Sequence, residues 1–334
     1  MHAPSSTVLH SLVSGLGRFR FIPPDAAHYD TDVAAAAALL NTPPENILEL
    51  VDHGMPCRYQ PGIGPLFDLA DVMNAGNNSR SGRTAPELTA MFLMRFSAGP
   101  RRGWLDAKKW LVTVRAPDDR PGRYRLSNVD PTGPGIASLT PESVGWAVVG
   151  SGTGTRCYQT AVQLTGTCDR VRDARAEDVY QQMLDDLHGG RVTYQVVSEA
   201  LRLDHHRAWE LGMADCMVVS RVIADRLRDL GLTARARRGL LLGPVGSEHA
   251  WCEIWEDGRW KTVDVGFAYN PTGRPWTHRP AATDEFVAAC FGSRFNRLLP
   301  CAARDAASLI LDRLEGRPRA MNCLISATAW NGTA

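Results

Sequence analysis

Several features that would place the chain in a special class are missing from its sequence. The formal net charge is +1, from 37 basic and 36 acidic residues, so a dominant electrostatic attraction to nucleic acid or membranes is not expected. No apolar run reaches the roughly 18 residues that a membrane span requires. The opening MHAPSSTVLHSLVSGLGRFRF has no basic start and no clean apolar core before a cleavage site, so it does not predict a secretory signal. We therefore expect a cytoplasmic protein without membrane partners.

Paired cysteines and a metal-binding cluster are missing as well. The eight cysteines include no C-x-x-C pair, which argues against a zinc site and against a small disulfide-rich domain. His205 and His206 are adjacent, but neighbouring residues on a helix point about 100° apart, and no third ligand is evident. The sequence therefore predicts no metal and no cofactor, and most of the cysteines are expected to be buried apolar side chains.

The first 104 residues are expected to form a mainly helical region. Within residues 31–56, TDVAAAAALL and NTPPENILELVDHGMP predict two short helices about a tight turn, which is a helix-turn-helix pattern. This stretch resembles the opening of the MerR-like winged-helix families. Glu45, Glu49 and Asp52 make the second helix acidic, which argues against contact with DNA phosphates. Nucleic acid is therefore not an expected partner, and a docking or lid role is expected for these helices.

Residues 105–172 change character and are expected to be rich in β-strands. KKWLVTVRAP, GRYRLSNVDP and GWAVVGSGTGTRCYQTAVQL contain strand-like runs separated by Pro, Gly and Asp turns. GSGTGT follows an apolar run, as a nucleotide-binding loop does. It does not fit the dinucleotide fingerprint, because Thr155 stands at the last glycine position and a strand-like run follows instead of a helix. We interpret it as a turn.

Helices return from residue 173, and one of them is expected to begin at a cysteine. ADCMVVSRVIADRLRDLG has apolar residues at helical spacing and stops at Gly231, which places Cys216 at the helix N-terminus. The free amides and the macrodipole at that end favour a thiolate and offer donors to an oxyanion. Three strands are expected next, LTARARRGLLLG, HAWCEIW and RWKTVDVGF, followed by two or three helices in the last fifty residues.

A tight hairpin is predicted in GSEHAWCEIWEDGRWKTVDVGFAYN, residues 246–270. A two-residue turn at Asp257-Gly258 would place Asp264 opposite Trp251 and Gly266 opposite His249. His249 and Asp264 would then be diagonal neighbours on one face, roughly 7–8 Å apart at the backbone, within reach of a hydrogen bond between imidazole and carboxylate. The hairpin is therefore suited to hold a histidine that an aspartate orients.

Three motifs in this order resemble the core of the transglutaminase-like superfamily, which has a papain-like thiol fold. They are GMADC ending at Cys216, HAWCE beginning at His249 and WKTVD ending at Asp264, with the strand GLTARARRG after the first. The resemblance implies an α+β catalytic domain over residues 173–334, with the cysteine-bearing helix packed on an antiparallel sheet. It also implies that Cys216 is the nucleophile, His249 the general base and acid, and Asp264 the group that orients His249.

The resemblance covers the core alone, about residues 175–270. The upstream residues do not match the domains of animal transglutaminases, and they show no acidic cluster that would form a calcium site. The implied chemistry is acyl transfer through a thioester that forms or cleaves an amide bond, with a peptide, small-molecule or carrier-bound acyl donor and an amine or water as acceptor; a natural-product pathway is one setting for it. The alternatives are a cysteine peptidase or amidase that uses water, and a DNA-binding regulator with a transglutaminase-like sensor domain.

Two sets of residues outside the three motifs are candidates for further roles. The indole of Trp209 is a candidate second donor to the oxyanion, with His205 and His206 as alternatives. Arg235 and Arg237 alternate along a strand, so they could hold a substrate carboxylate or phosphate, or form an exposed strand face.

Two residues on the predicted face of His249 are candidates for supporting it. Trp251 is expected to pack around the hairpin and could shield the bond between His249 and Asp264. Glu253 could support the same bond or form an ion pair at the strand edge. Cys252 points to the opposite face and is expected to be buried and inert.

Overall fold

A computed structural model describes most of the chain, and the described residues mix helices and strands. The described ranges are 5–115, 124–126, 129–130, 133–139, 147–149, 157–243, 246–273, 282–301, 310–314, 317–320 and 324–329. Helices and strands both contribute substantially, so the prediction of a mixed α and β class is confirmed. The predicted GSGTGT turn lies outside the described residues.

The helices are short to medium in length. In chain order they are α1 (Ser5–Leu16), α2 (Val33–Leu40), α3 (Pro44–Asp52), α4 (Leu69–Asn78), α5 (Ala85–Met94), α6 (Arg102–Leu105), α7 (Ala174–His188), α8 (Glu199–Leu203), α9 (His205–Glu210), α10 (Cys216–Asp229), α11 (Val265–Gly273) and α12 (Asp284–Ala289), with a 3-10 helix at Arg95–Ala98. Within the described ranges, no helix has both the length and the apolar character needed to cross a membrane.

The strands fall into small antiparallel sheets, apart from one short parallel pair. In chain order they are β1 (Tyr29–Thr31), β2 (Arg58–Gln60), β3 (Gly64–Asp68), β4 (Lys108–Arg115), β5 (Tyr124–Leu126), β6 (Ile136–Ser138), β7 (Ala147–Val149), β8 (Cys157–Leu164), β9 (Thr193–Tyr194), β10 (Met213–Ala214), β11 (Ala234–Leu241), β12 (Ser247–Glu256), β13 (Arg259–Val263), β14 (Phe291–Gly292), β15 (Leu298–Pro300), β16 (Ile310–Leu314), β17 (Arg317–Ala320) and β18 (Leu324–Ala329).

Residues 1–92 and 190–215 belong to one compact unit. Helices α2 and α3 form the predicted two-helix pattern, and Asp32 caps α2 by accepting a hydrogen bond from the Ala35 amide at 2.7 Å. Strands β1, β3 and β2 form a three-stranded sheet in that order. The unit has its own buried core, which consists of Val8, Leu12, Leu16, Phe19, Ala36, Ala37, Leu40, Ile47, Leu50, Met55, Phe67, Val72 and Ala75.

Residues 190–215 are tied to the start of the chain within this unit. The Arg20 amide donates to Gln195 Oε1 at 2.9 Å, and Gln195 Nε2 donates back to the Arg20 carbonyl at 2.6 Å. Asn74 makes a similar double contact with the backbone of Val196, with both hydrogen bonds at 2.8 Å. The side-chain amides of Gln195 and Asn74 therefore satisfy backbone groups that neighbouring strands would otherwise satisfy.

The second compact unit comprises residues 93–189, 216–274 and 281–334. Its largest sheet has the strand order β14-β13-β12-β11-β15 and is antiparallel throughout, and α10 packs against β11 and β12. Two four-stranded sheets have the orders β18-β4-β8-β6 and β17-β16-β5-β7. One buried core joins several of these strands and consists of Trp110, Val112, Val114, Val162, Leu164, Leu240, Leu242, Leu299, Cys301 and Ala327.

The end of the chain differs from the sequence-based expectation. The prediction of two or three helices in the last fifty residues is wrong, because α12 is followed in the described ranges by strands β14 to β18. Two of these strands find their partners far back in the sequence, since β15 pairs with β11 and β18 pairs with β4. Side-chain periodicity within one segment does not reveal such distant pairings, and tertiary contacts decide the outcome.

Candidate active site

Cys216 is the first residue of α10, on the side of the second unit that holds β11 and β12. Its side chain is half-buried, and its thiol neighbours the imidazole of His249 and helps to raise the pKa of that ring. The helix buries an apolar stripe that includes Val218, Val222 and Leu227. The amides of the first turn have no partners within the helix, so the N-terminus of α10 brings positive electrostatic potential to the sulfur.

The hairpin between β12 and β13 has the register that the sequence predicts. The pairs run from Glu256 with Arg259 to Cys252 with Val263. The two turn residues both lie in the left-handed region, with φ of 53° at Asp257 and 74° at Gly258, as a two-residue turn of the primed type requires. The register therefore places His249 and the end of β13 at the same end of the hairpin.

The expected pairing of Gly266 with His249 is wrong, because the chain leaves the sheet before it reaches Gly266. Strand β13 ends at Val263 and helix α11 begins at Val265. Asp264 lies between them, and its backbone amide donates to the Cys290 carbonyl at 2.9 Å. The residue that pairs with His249 is instead Gly239, on β11.

Asp264 uses both carboxylate oxygens to join the new helix to the histidine. One oxygen, Oδ1, accepts the Phe267 amide at 2.9 Å, so Asp264 caps the N-terminus of α11. The other, Oδ2, lies 2.7 Å from His249 Nε2. Both side chains are buried, with exposed fractions of 6% for His249 and 2% for Asp264. The helix cap therefore fixes the carboxylate that orients the imidazole.

The His249 ring is held in one orientation by Asp264 and by Phe267 on α11. The Phe267 ring stacks on the imidazole with a centroid distance of 4.2 Å and an interplanar angle of 9°. Since Nε2 faces Asp264, the other ring nitrogen, Nδ1, is the one available to Cys216. Burial by itself lowers the pKa of His249, but the neighbouring Asp264 and Cys216 outweigh it and raise the pKa to about 10. The arrangement favours an imidazolium beside the sulfur.

Trp251 is buried on β12, two residues after His249 and on the same face of the strand. Its ring lies 6.2 Å from that of His249, and its Nε1 donates to Glu253 Oε1 at 3.2 Å. Gly239 makes room for this indole, because a Cβ at that position would lie 2.8 Å from Trp251 Cη2 and 2.2 Å from the Leu299 carbonyl oxygen. Trp251 thus separates His249 from the charged side chains further along the strand.

The two arginines proposed to hold substrate are already engaged in ion pairs. Arg235 lies 2.6 Å from Glu253 and also stacks over the Trp260 ring at 3.9 Å. Arg237 lies 2.7 Å from Asp130. These contacts favour the alternative in which Glu253 forms an ion pair on the sheet. A substrate anion would have to replace Glu253 or Asp130 before it could bind either guanidinium.

Of the remaining residues predicted from the sequence, three lie in the first unit and one, Cys252, lies on β12 of the second unit. Trp209 is buried on α9, with the Arg191 guanidinium 5.4 Å above its ring, and its role as an oxyanion donor stays a prediction. The expectation that His205 and His206 point apart is wrong, because their ring centroids are 4.3 Å apart. Cys252 is buried as expected, and burial raises the pKa of its thiol well above the ordinary range.

Sequence reasoning missed Phe267 and Gly239, which shape the environment of His249. The signal for Phe267 was present: Asp264 stands three residues before it, at the spacing of an N-cap and the amide it accepts from. The signal for Gly239 was a glycine inside the apolar strand ARARRGLL, where a missing side chain often marks a close approach.

Comparisons with known proteins add little to this geometry. No protein-family model matches the sequence, and a search of curated proteins gave no match. Among solved structures, the chain is similar to a candidate cysteine protease from Cytophaga hutchinsonii. The two share 14% sequence identity, with 69% of this chain and 93% of the other covered, at a TM-score of 0.38.

Proposed function

We propose that the protein is a transglutaminase-like cysteine enzyme that transfers an acyl group through a thioester on Cys216. One observation carries the proposal: the Cys216 thiol interacts with the His249 imidazole, which is hydrogen-bonded to the Asp264 carboxylate. Cys216 is at a helix N-terminus, His249 is on β12 of an antiparallel hairpin, and Asp264 directly follows β13. The three residues follow one another in the order of the superfamily motifs. A papain-like core over residues 173–270 is part of the proposal.

The reaction begins with the Cys216 thiolate, which attacks the carbonyl carbon of an amide, ester or thioester. The carbonyl oxygen becomes an oxyanion, and the Cys216 amide at the start of α10 is a donor in position to stabilise it. His249 then gives its proton to the leaving amine, alcohol or thiol, and the acyl group stays on sulfur as a thioester. Asp264 keeps the imidazole in one orientation and stabilises its charge.

The second half of the reaction releases the acyl group. Neutral His249 takes a proton from an incoming amine or water, and that nucleophile attacks the thioester carbonyl. The tetrahedral intermediate collapses and expels the Cys216 thiolate, which restores the starting pair. An amine yields a new amide bond, and water yields an acid. Transfer to an amine is the main proposal, and hydrolysis by the same three residues is its alternative.

Alkylation with iodoacetamide and peptide mass mapping tests the reactive pair without a known substrate. Cys57 is a matched internal control, because its side chain is half-buried like that of Cys216 but lies in the other unit. We expect Cys216 to be labelled at neutral pH at least about tenfold faster than Cys57, and we expect His249→Gln to remove most of that difference. Equal labelling of the two thiols, or labelling unchanged in His249→Gln, would contradict the proposal.

The acyl acceptor is tested with simple substrates. Thioester, ester and amide donors are incubated with and without a primary amine, and the products are weighed. Amide product that depends on Cys216 supports transfer, and Cys216-dependent acid alone would replace transfer by hydrolysis. The Cys216→Ser variant is the negative control, since it keeps a hydroxyl of similar size and loses the thiolate. No product from any donor class in the wild type would remove the enzyme proposal.

A further inference from the structure

A cavity of about 560 Å³ lies in the second unit. Its described lining comes from α6, α7, α11, α12 and the chain around Cys168, and it does not include Cys216, His249 or Asp264. Trp104, Phe291 and other apolar side chains form much of its surface. This volume falls within the range of pockets that hold small molecules, roughly 300–1,000 Å³.

A thiol with a cationic neighbour lines this cavity. Among the cysteines whose side chains the structure describes, Cys168 is the exposed one; Cys57 and Cys216 are half-buried and the others are buried. The Arg101 guanidinium donates a hydrogen bond from Nη2 to Cys168 Sγ. A guanidinium beside a sulfur stabilises negative charge on it, and exposed cysteines next to such a cation are the reactive ones.

The charges around the cavity favour a cationic ligand. Its described lining holds two arginines but four carboxylates. Arg101 is paired with Glu285 at 3.2 Å, Arg170 with Glu177 at 3.1 Å, and Asp169 with Arg259 at 2.6 Å. Asp284 is exposed and has no ion-pair partner among the described residues. Asp284 therefore gives the lining one uncompensated negative charge, which attracts an ammonium group and repels a carboxylate.

The cavity wall also includes the ring of a buried tyrosine. Tyr180 is 7% exposed and its ring packs on Phe291 with a centroid distance of 4.7 Å. Its hydroxyl makes no hydrogen bond to any residue that the structure describes. The hydroxyl is itself buried and neighbours Cys290 and Asp264, so the cavity meets the ring of Tyr180 and gains an apolar surface there.

We propose that this cavity binds the disulfide of an amine-bearing thiol and that Cys168 exchanges with it. The Cys168 thiolate attacks one sulfur of the disulfide, a bond between Cys168 and that sulfur forms, and the original S–S bond breaks. The departing thiolate leaves with the bonding electron pair and takes up the proton that Cys168 released. The cavity then holds the attached aminothiol, with its ammonium group near Glu177 and Asp284.

The test uses cystamine, a dication, and glutathione disulfide, which is anionic, on the full chain. Both are added to a Cys216→Ala variant, so the outcome does not depend on the proposed acyl transfer. Peptide mass mapping then follows modification of Cys168 and Cys57 with time. We expect cystamine to modify Cys168 at least about tenfold faster than glutathione disulfide does. We also expect Cys168 to react well before Cys57.

Variants of the lining separate the cavity from simple exposure of the thiol. Arg101→Gln should slow the reaction of Cys168 with both disulfides about tenfold, and Arg101→Lys should restore part of the rate. The double variant Glu177→Gln and Asp284→Asn should abolish the preference for cystamine, whereas Glu45→Gln on α3 is an exposed control that should not. No preference for cystamine in the parent protein, or a Cys168 that reacts no faster than Cys57, would overturn the proposal.

Discussion

At the scale of single residues, the position of one proton defines the proposed site. His249 and Asp264 are both buried, and a buried carboxylate is tolerated only with a strong partner. Asp264 has two, the imidazole and the Phe267 amide. The same buried carboxylate raises the pKa of His249 above that of an ordinary histidine. An imidazolium therefore lies next to the Cys216 sulfur at neutral pH. Stability and proposed reactivity thus depend on the same charge.

This coupling predicts a pH-dependent contribution to stability. Folding raises the pKa of His249 from 6.5 to about 10, so the folded protein holds the imidazole proton more tightly than the unfolded chain does. The contribution is therefore fully present below about pH 6.5 and is lost as the pH rises through about 10. We expect Asp264→Asn to lower the free energy of unfolding by about 3 kcal/mol near pH 6 and by less as the pH rises.

Urea unfolding of wild type and Asp264→Asn across this range measures the difference. Lys261→Arg is a suitable control, because it keeps its positive charge in another buried ion pair of the same unit. Its difference from wild type should not follow the titration of a histidine. If the difference between wild type and Asp264→Asn were constant from pH 6 to about 10, the charged pair would not be formed.

At the scale of elements, the sequence predicts the structure where all of the residues that determine an element lie within one short segment. Asp257-Gly258 demands a left-handed turn, and that turn fixes the register of β12 and β13 through the pairing of Cys252 with Val263. Helix α11 was missed because it contains Gly266 and Pro271, which are poor helix formers. The helix begins after Asp264, which caps it. The sequence predicts that cap only if β13 is already known to end at Val263.

The C-terminal segments include one element with a local sequence signal and one that forms only through pairing with a distant strand. Thr283 accepts a hydrogen bond from the Phe286 amide at 3.1 Å and begins α12, which is a local cap that the sequence contains. Strand β15 has no local signal of comparable strength, since it exists by pairing with β11 some sixty residues earlier. Partners at such distances are selected by the packing of the whole sheet, so propensity alone gives the wrong element.

The cap on α11 leads to a prediction that separates two roles of one side chain. Asn is among the best N-cap residues, so Asp264→Asn should keep the bond to the Phe267 amide while it loses the charge beside His249. Asp264→Ala loses both and should be less stable than Asp264→Asn by about a further 1 kcal/mol. Thermal unfolding gives the difference, and alkylation of Cys216 should be slow in both variants. Equal stability of the two would show that the cap contributes nothing.

At the scale of the whole molecule, the chain passes from one compact unit to the other and back. Residues 190–215 belong with residues 1–92, and the chain returns to the second unit at Cys216. The division predicted from the sequence, at residues 104 and 172, follows changes in composition along the chain and stays a prediction. Composition reports what a segment is made of, whereas a unit is defined by contacts between segments that are distant in sequence.

Asn74 is one of the side chains that tie the two segments of the first unit together. Asn74→Ala removes both of its bonds to Val196 and leaves a half-buried amide and carbonyl without a protein partner, so we expect the free energy of unfolding to fall by about 1–2 kcal/mol. Hydrogen exchange should quicken in residues 190–215 and change little in β11 to β13. Asn270→Ala, which removes a bond to Gly266 within α11, is the matched control and should leave 190–215 unchanged. Exchange that quickens equally in both units would mean that they unfold as one cooperative structure.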